Sequence, residues 1–233
     1  MKIALFGITE IKLGKHNLKD PRLDQAHELV EADKKAQAQV DVIGEEELLD
    51  ADCILTSSDA KADLILKDLE FVETRLGRDP QPAERAALEK IRGVLESEKL
   101  LFSAGLTAED LQSVAAHSFY TNKPVTVAMP GEVQNPEALL LRAFAEAGYI
   151  CFLTVGGKEN RAWPIRKGMT AWESAGTIHT DIQKGFIRAE VISFADFAAA
   201  GGETQAKRAG KQRLELKQYV VQDYDLLNFR FNK

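Results

Sequence analysis

The stretch that decides the reading of this chain is Ile178–Ile192, IHTDIQKGFIRAEVI. It opens with a polar knot, His179-Thr180-Asp181. It then passes a turn at Lys184-Gly185 and enters a β-rich run, Phe186-Ile187-Arg188-Ala189-Glu190-Val191-Ile192. Gly185 is expected to supply a positive φ for that turn. A His beside an Asp suits a general base with its orienting partner. Only Thr180, which lies between the two, offers a hydroxyl nearby, so no nucleophile is evident. A capped turn explains the knot better: Thr180 or Asp181 caps through its side chain, and His179 packs or hydrogen-bonds locally. No catalytic or metal-ligating residue is assigned from this run. Arg188 is expected either to meet a partner or to pair inside the module with Glu190 or Asp181.

Around this run, residues 161–233 read as short strands with little helix. The strands are Ala162–Ile165, Phe186–Phe194, Gln218–Val221 and Leu226–Phe231. Short helices fit Trp172–Ala175 and Phe194–Ala199. Strands wrapped about one helix suggest a β-grasp or similar α+β module. Gly201-Gly202 and Gly210 bound an expected long loop carrying Lys207 and Arg208, with Lys211 and Arg213 beyond. Trp163, Phe186, Phe229 and Phe231 read as core rather than as base-stacking platforms.

Towards the N-terminus, strands and helices alternate, the pattern of an α/β layer. The strands are Lys2–Phe6, Val40–Ile43, Cys53–Leu55, Val125–Met129 and Tyr149–Val155. Asp20-Pro21 caps a helix expected to run from Gln25 to about Lys35, and Thr107 caps another that ends before Asn122. Ile65, Leu69, Val72 and Leu76 recur at helical spacing, as do Leu88, Ile91 and Leu95. The Pro-containing link 77–82 makes these two stripes an antiparallel helical hairpin, and Glu84 to Lys99 reads as its solvated face. Gly7 to His16, GITEIKLGKH, invites a phosphate-loop test. Six residues rather than four separate Gly7 from Gly14-Lys15, and His16 stands where a Ser or Thr would hold Mg²⁺. Asp41-Val-Ile-Gly44 is a DxxG pattern that a strand-end turn also explains.

The charge is uneven. Residues 1–160 carry 18 Lys and Arg against 28 Asp and Glu (net −10), and residues 161–233 carry 12 against 8 (net +4). An acidic body with a basic C-terminal part hints at a polyanionic partner for the latter. Candidate contacts are Lys184, Arg188, Lys207, Arg208, Lys211 and Arg213. Hydrophobic residues make up 45% of the chain, enough for a packed core. No apolar run approaches the roughly 18 residues of a membrane span, and MKIALFGITE reads as a strand rather than a leader. Cys53 and Cys151 sit in apolar runs and read as buried thiols of a cytoplasmic protein.

At Ile178–Ile192 the sequence closely resembles the C-terminal, TGS-type β-grasp domain of the YchF/Obg-like ATPases, whose hallmark has the form IHTDFxxGFIRAEV. The flanks resemble it too: Arg161-Ala162-Trp163, Ile165–Gly168, Gly210-Lys211-x-Arg213-Leu214-Glu215, Tyr219-Val220-Val221-x-Asp223 and Phe229-Arg230-Phe231-Asn232. Further back, Asp20–Asp24, Leu66–Leu76 and Asn122–Val125 look like family segments. The family's Asn-x-x-Glu base loop is reduced to Glu132 in Met129-Pro130-Gly131-Glu132, and Glu45-Glu46-Glu47 replaces a glycine-rich switch. The resemblance therefore implies an α/β remnant of a P-loop G domain (1–61 and 118–155), an inserted antiparallel helical hairpin (62–117) and a TGS, ubiquitin-like β-grasp domain (156–233). The function expected from it is a non-enzymatic binding or regulatory protein without a cofactor. Its TGS-type domain would engage ribosome, RNA or a protein partner, and its hairpin a protein partner. The alternative is residual ATP or GTP binding with Mg²⁺ and slow hydrolysis, held by Gly7, Gly14, Lys15, Asp41, Gly44 and Glu132.

Overall fold

The computed structural model describes residues 1–232. In chain order the elements are β1 (Lys2–Phe6), β2 (Gly14–Leu18), α1 (Pro21–Leu29), β3 (Lys34–Ala36), β4 (Ala38–Ile43), β5 (Cys53–Ser57), α2 (Lys61–Leu76), α3 (Pro82–Glu96), α4 (Ala108–Ser113), β6 (Val125–Ala128), α5 (Pro136–Glu146), β7 (Tyr149–Thr154), β8 (Glu159–Arg166), α6 (Ala171–Ile178), α7 (Thr180–Lys184), β9 (Phe186–Ile192), α8 (Phe194–Ala200), α9 (Glu203–Arg208), β10 (Arg213–Glu215) and β11 (Leu226–Phe231). They form two mixed α/β units, each with its own sheet. One unit comprises Met1–His16 and Val40–Ala147. The other comprises Asn17–Gln39 and the chain from Gly148 onward.

The first unit holds a five-stranded sheet of order β2-β4-β1-β5-β6, in which β1 runs parallel to β4 and β5, and β5 parallel to β6. The near-continuous apolar runs of β1 and β5 follow from burial on both faces: Ile3, Ala4, Cys53, Ile54 and Leu55 are fully buried. Helices α2 and α3 pack on each other through Ile65, Val72, Leu88, Ile91 and Leu95. Asp68 on α2 is buried, and its carboxylate accepts from Tyr120 N (2.9 Å), Thr121 N (2.8 Å) and Thr121 Oγ1 (2.7 Å). Those bonds fix the turn that feeds β6. The expected solvated face of α3 is not wholly solvated. Glu84 accepts from Arg75 Nε (2.6 Å) and lies 2.8 Å from His117 Nε2, with 14% of its side chain exposed.

The second unit holds a six-stranded sheet of order β10-β9-β11-β7-β8-β3. Its core is Phe152, Ile165, Phe186, Ala189, Val191, Leu227 and Phe229 from the strands, Ala171 and Ala175 from α6, and Val221. Trp163, expected in the core, packs against it from a partly buried position.

Several expected elements differ. The helix after Pro21 stops at Leu29, because 34–36 is claimed by β3, which pairs in parallel with β8. Residues 17–39 thereby join the C-terminal unit rather than the 1–61 body. The reason is a long-range fork. Arg22 donates to Asp20 (Nε to Oδ1, 3.0 Å; Nη2 to Oδ2, 2.7 Å) and to Asp223 Oδ2 (2.7 Å), and lies 3.6 Å over the Tyr224 ring. Burial pushes the Asp20 carboxyl up, but the Arg22 bonds outweigh it and hold it below the ordinary value. The Thr107-capped helix ends at Ser113, well short of Asn122. Residues 218–221 form no strand beyond one bridge, Thr170 to Val220. There the Tyr219 hydroxyl is held by Asp225 (2.6 Å) and by Arg213 (3.0 Å). The basic loop at 203–208 is helix α9, opened after two positive-φ glycines, Gly201 and Gly202.

Two outcomes are expected. Arg22→Ala will speed hydrogen exchange across 21–29 and lower stability by about 1–3 kcal/mol, and Arg22→Lys will restore little of it, because an ammonium lacks the planar donor array that grips Asp20 twice, reaches Asp223 and lies over the Tyr224 ring. The bonds from Arg75, then His117, lower Glu84 to about 2. Its stabilising effect is therefore complete above the ordinary carboxylate value of 4.5 and is lost as pH falls towards 2. Denaturation curves of Glu84→Gln should lack that component.

Candidate functional site

In parallel α/β sheets, ligands bind beyond the carboxyl ends of the strands, where the strand order reverses. Strand β1 lies between β4 and β5, so this rim is formed by the chain after Phe6, Ile43, Ser57 and Ala128. The structure places Gly7, Gly44 and Glu132 there, one behind each of β1, β4 and β6. The other three lie within strands. Gly14 and Lys15 lie in β2, with Lys15 exposed. Asp41 lies inside β4 opposite Lys2, at the amino end of β1.

The rim is tightly built. Gly7 has φ +65°, and a Cβ there would stand 2.3 Å from the Ala60 Cβ. A side chain at position 7 would thus collide with the turn that starts α2. Ser57 Oγ accepts from Ala60 N (3.2 Å) and fixes that turn. Glu132 is already engaged: its Oε2 accepts from Met129 N (2.7 Å) and from Arg142 Nη2 (2.6 Å). Glu10 Oε2 accepts from Thr9 N (2.9 Å). A Walker-type Mg²⁺-nucleotide cradle does not fit β1–β2. The loop after β1 leads into a strand instead of a helix, and the His16 ring nitrogen turns to the Lys12 carbonyl (2.7 Å).

In the second unit the six basic candidates divide. Lys207 pairs with Glu203 (2.6 Å), Lys211 with Asp196 (3.0 Å) and Arg213 with Glu215 (3.7 Å). Lys184, Arg188 and Arg208 are exposed and form no ion pair among the described residues. Arg188 does not pair with Glu190 or Asp181. Glu190 instead takes Arg230 and Asn228, and Arg188 stands directly opposite Arg230 across β9–β11.

In the polar knot the cap is His179 itself. Its Nδ1 accepts from Asp181 N (3.1 Å) at the start of α7, a role its position before a short helix could have revealed. Gly185 has φ −84°, so the positive-φ expectation fails. Glycine is required there for closeness: a Cβ would lie 2.0 Å from the Asn232 carbonyl oxygen, while Asn232 N donates to Gly185 O (2.9 Å). Gly185→Ala should therefore lower the unfolding free energy by roughly 1–3 kcal/mol in urea titration, through forced backbone movement. Cys53 and Cys151 are buried, and burial pushes the Cys53 thiol up to about 12 and the Cys151 thiol higher still. No helix among the described residues is long and apolar enough to cross a membrane.

Residues 149–232 match the YchF-GTPase C-terminal family model, described as a protein of unknown function (DUF933). The ribosome-binding ATPase YchF of Haemophilus influenzae is 34% identical over 232 aligned residues, which cover 73% of this chain and 64% of that relative's length. The Bacillus subtilis protein of the same name is 49% identical over 96 residues, covering 41% of this chain and 26% of its own length. Obg-like ATPase 1 of Danio rerio is 44% identical over 104 residues, covering 42% and 26%. The structure of the Schizosaccharomyces pombe YchF GTPase superposes with a TM-score of 0.78, 99% of this chain against 97% of that one, at 18% identity, a likeness of fold. The expectation of a non-enzyme without cofactor is corrected by these matches, since the relatives are named for nucleotide hydrolysis. The chain is thus similar in sequence to the YchF/Obg-like ATPases, and it spans less than two thirds of the length of the Haemophilus influenzae relative.

Proposed function

We propose that this chain is a ribosome-associated, nucleotide-binding protein with slow ATP or GTP hydrolysis, whose C-terminal unit is a TGS-type β-grasp module that makes the ribosome contact. The similarity to a protein named ribosome-binding ATPase, spread over 73% of the chain, carries this reading. The second unit supports the module assignment. Strands β7 and β11 lie parallel and adjacent in the middle of the sheet, β8 and β9 flank them antiparallel, and α6 packs against the core between them. The reading of α2–α3 as the family's inserted hairpin belongs to the same proposal.

Of the six candidates in the module, Lys184, Arg188 and Arg208 are the cations free to meet phosphates. The paired Lys207, Lys211 and Arg213 would first have to leave a carboxylate. In the first unit, the carboxyl rim behind β1, β4, β5 and β6 is the place for nucleotide. Since a Walker cradle does not fit, no hydrolytic step is assigned to a residue.

Two measurements test the proposal. Co-sedimentation with ribosomes should fall steeply with salt, and a Lys184→Glu, Arg188→Glu, Arg208→Glu variant should flatten the salt slope by up to about three. Calorimetric titration with Mg²⁺ and ATP or GTP should show saturable binding, accompanied by slow phosphate release. A chain that neither pellets at low salt nor binds either nucleotide overturns the reading.

A further inference from the structure

The sheet of the second unit has an opening in it. Strand β11 pairs along its length with β9 on one side. On the other side it meets β7 only at Leu226 opposite Leu153. Because the two strands are parallel, β7 ends at Thr154 just where β11 begins. The lane beside Leu227–Phe231 is therefore empty of strand.

The pairing pattern says which groups face that lane. Leu153 N donates to the Asp225 carbonyl (2.8 Å), so the odd residues of β11 turn their backbone groups away from β9. The N–H and C=O of Phe229 thus point into the lane and take no backbone partner among the described residues.

A cleft of 450 Å³ occupies this lane. One wall is apolar: Phe229 belongs to the core against which Ile178 and Ile182 pack, and Phe231 follows. The other lining carries the polar side chains of Glu190, Glu203, Gln212 and Asn228 beside Ile192 and Leu226. It holds two carboxylates and no Lys or Arg. A second cleft of 810 Å³ shares Ile182 and Phe231 and continues along the strand to Asn232.

We propose that this lane is a strand-addition site for an extended peptide of a partner protein, one that alternates apolar and basic residues. Backbone groups aligned along an open strand edge select an extended chain. An apolar wall on one face and carboxylates on the other select alternation, since successive side chains of a strand point to opposite faces. The acidic lining selects basic rather than acidic residues. Each carboxylate already has a cation beside it (Arg230 at Glu190, Lys207 at Glu203), so a peptide Lys exchanges for one of these rather than neutralising a bare charge. The acidic lining also disfavours single-stranded RNA. The proposal does not rest on nucleotide or ribosome binding, and its test uses neither.

The test is amide NMR on the full chain with the probe acetyl-Lys-Val-Lys-Val-Lys-amide. Shifts should concentrate at Thr154–Gly157 and Phe229. The same peptide N-methylated at two adjacent residues should bind about tenfold more weakly, since one or more backbone bonds cannot form in either register. Glu203→Gln, checked for an unchanged melting curve, should weaken the Lys peptide about threefold and leave an Asp-Val-Asp-Val-Asp analogue no weaker. Equal binding of the methylated peptide overturns the proposal. So does the absence of binding at millimolar peptide, and so does oligouridine displacing the peptide from the same amides.

Discussion

The interaction on which the C-terminal unit depends is the fork of Arg22. One guanidinium bonds Asp20, two residues away, and Asp223, 201 residues away, while lying over the Tyr224 ring. Tyr224 has φ +62°, a conformation that costs energy for a residue with a Cβ. It is held there by Tyr224 N donating to the Cys151 carbonyl (2.7 Å) and by the cation on its ring. Asp223 also accepts from Cys151 N (3.1 Å), so the backbone of β7, the turn into β11 and the start of α1 meet at one place. The segment 17–39 is close to the N-terminus in sequence and part of the C-terminal unit in space because of this junction.

That explains which parts of the fold were legible in the sequence. Local chemistry could be read well: Asp20 and Thr107 cap helices, and the stripes Ile65–Val72 and Leu88–Leu95 bury one face. What a residue does for a distant neighbour could not. Gly185 was expected to be a glycine for its φ, but the reason is Asn232, 47 positions on. Gly14-Lys15 had the residue types of a phosphate loop, yet sheet pairing drew them into β2. The β-branched pair Val220-Val221 suggested a strand, but Asp225 holding Tyr219 and Gln222 bends that segment into turns.

The candidate sites divide in the same way. A net +4 over residues 161–233 is a count, and a count cannot tell a cation with a neighbour from one without. Lys207 meets Glu203 one helical turn back, a pairing that spacing could have suggested had α9 been recognised. Arg188 looks like the natural partner of Glu190 along the sequence. In a strand, however, residues two apart lie nearly 7 Å apart, whereas directly opposed residues on neighbouring strands sit much closer. Glu190 therefore takes Asn228, directly opposite it on β11, and also the long side chain of Arg230, diagonal to it, and Arg188 is left without a carboxylate.

The open lane beside β11 has a cause that can be traced to two glycines and one asparagine. Gly156 and Gly157 both have positive φ and turn the chain back before β7 can extend along β11. Asn160 is fully buried. Its Oδ1 accepts from Gly156 N (2.7 Å), and its Nδ2 donates to the Val30 carbonyl (2.7 Å) and to His27 Nδ1 (3.1 Å). With both amide hydrogens and the carbonyl engaged, the side chain has no freedom to release the turn. The same bonds hold the end of α1, the segment that Arg22 fixes at its start. The length of β7, and with it the room left beside β11, is thus set by the packing of a segment from the other end of the chain. A strand that could slide or lengthen would pair with β11 and close the lane, and the turn at Gly156-Gly157 prevents this.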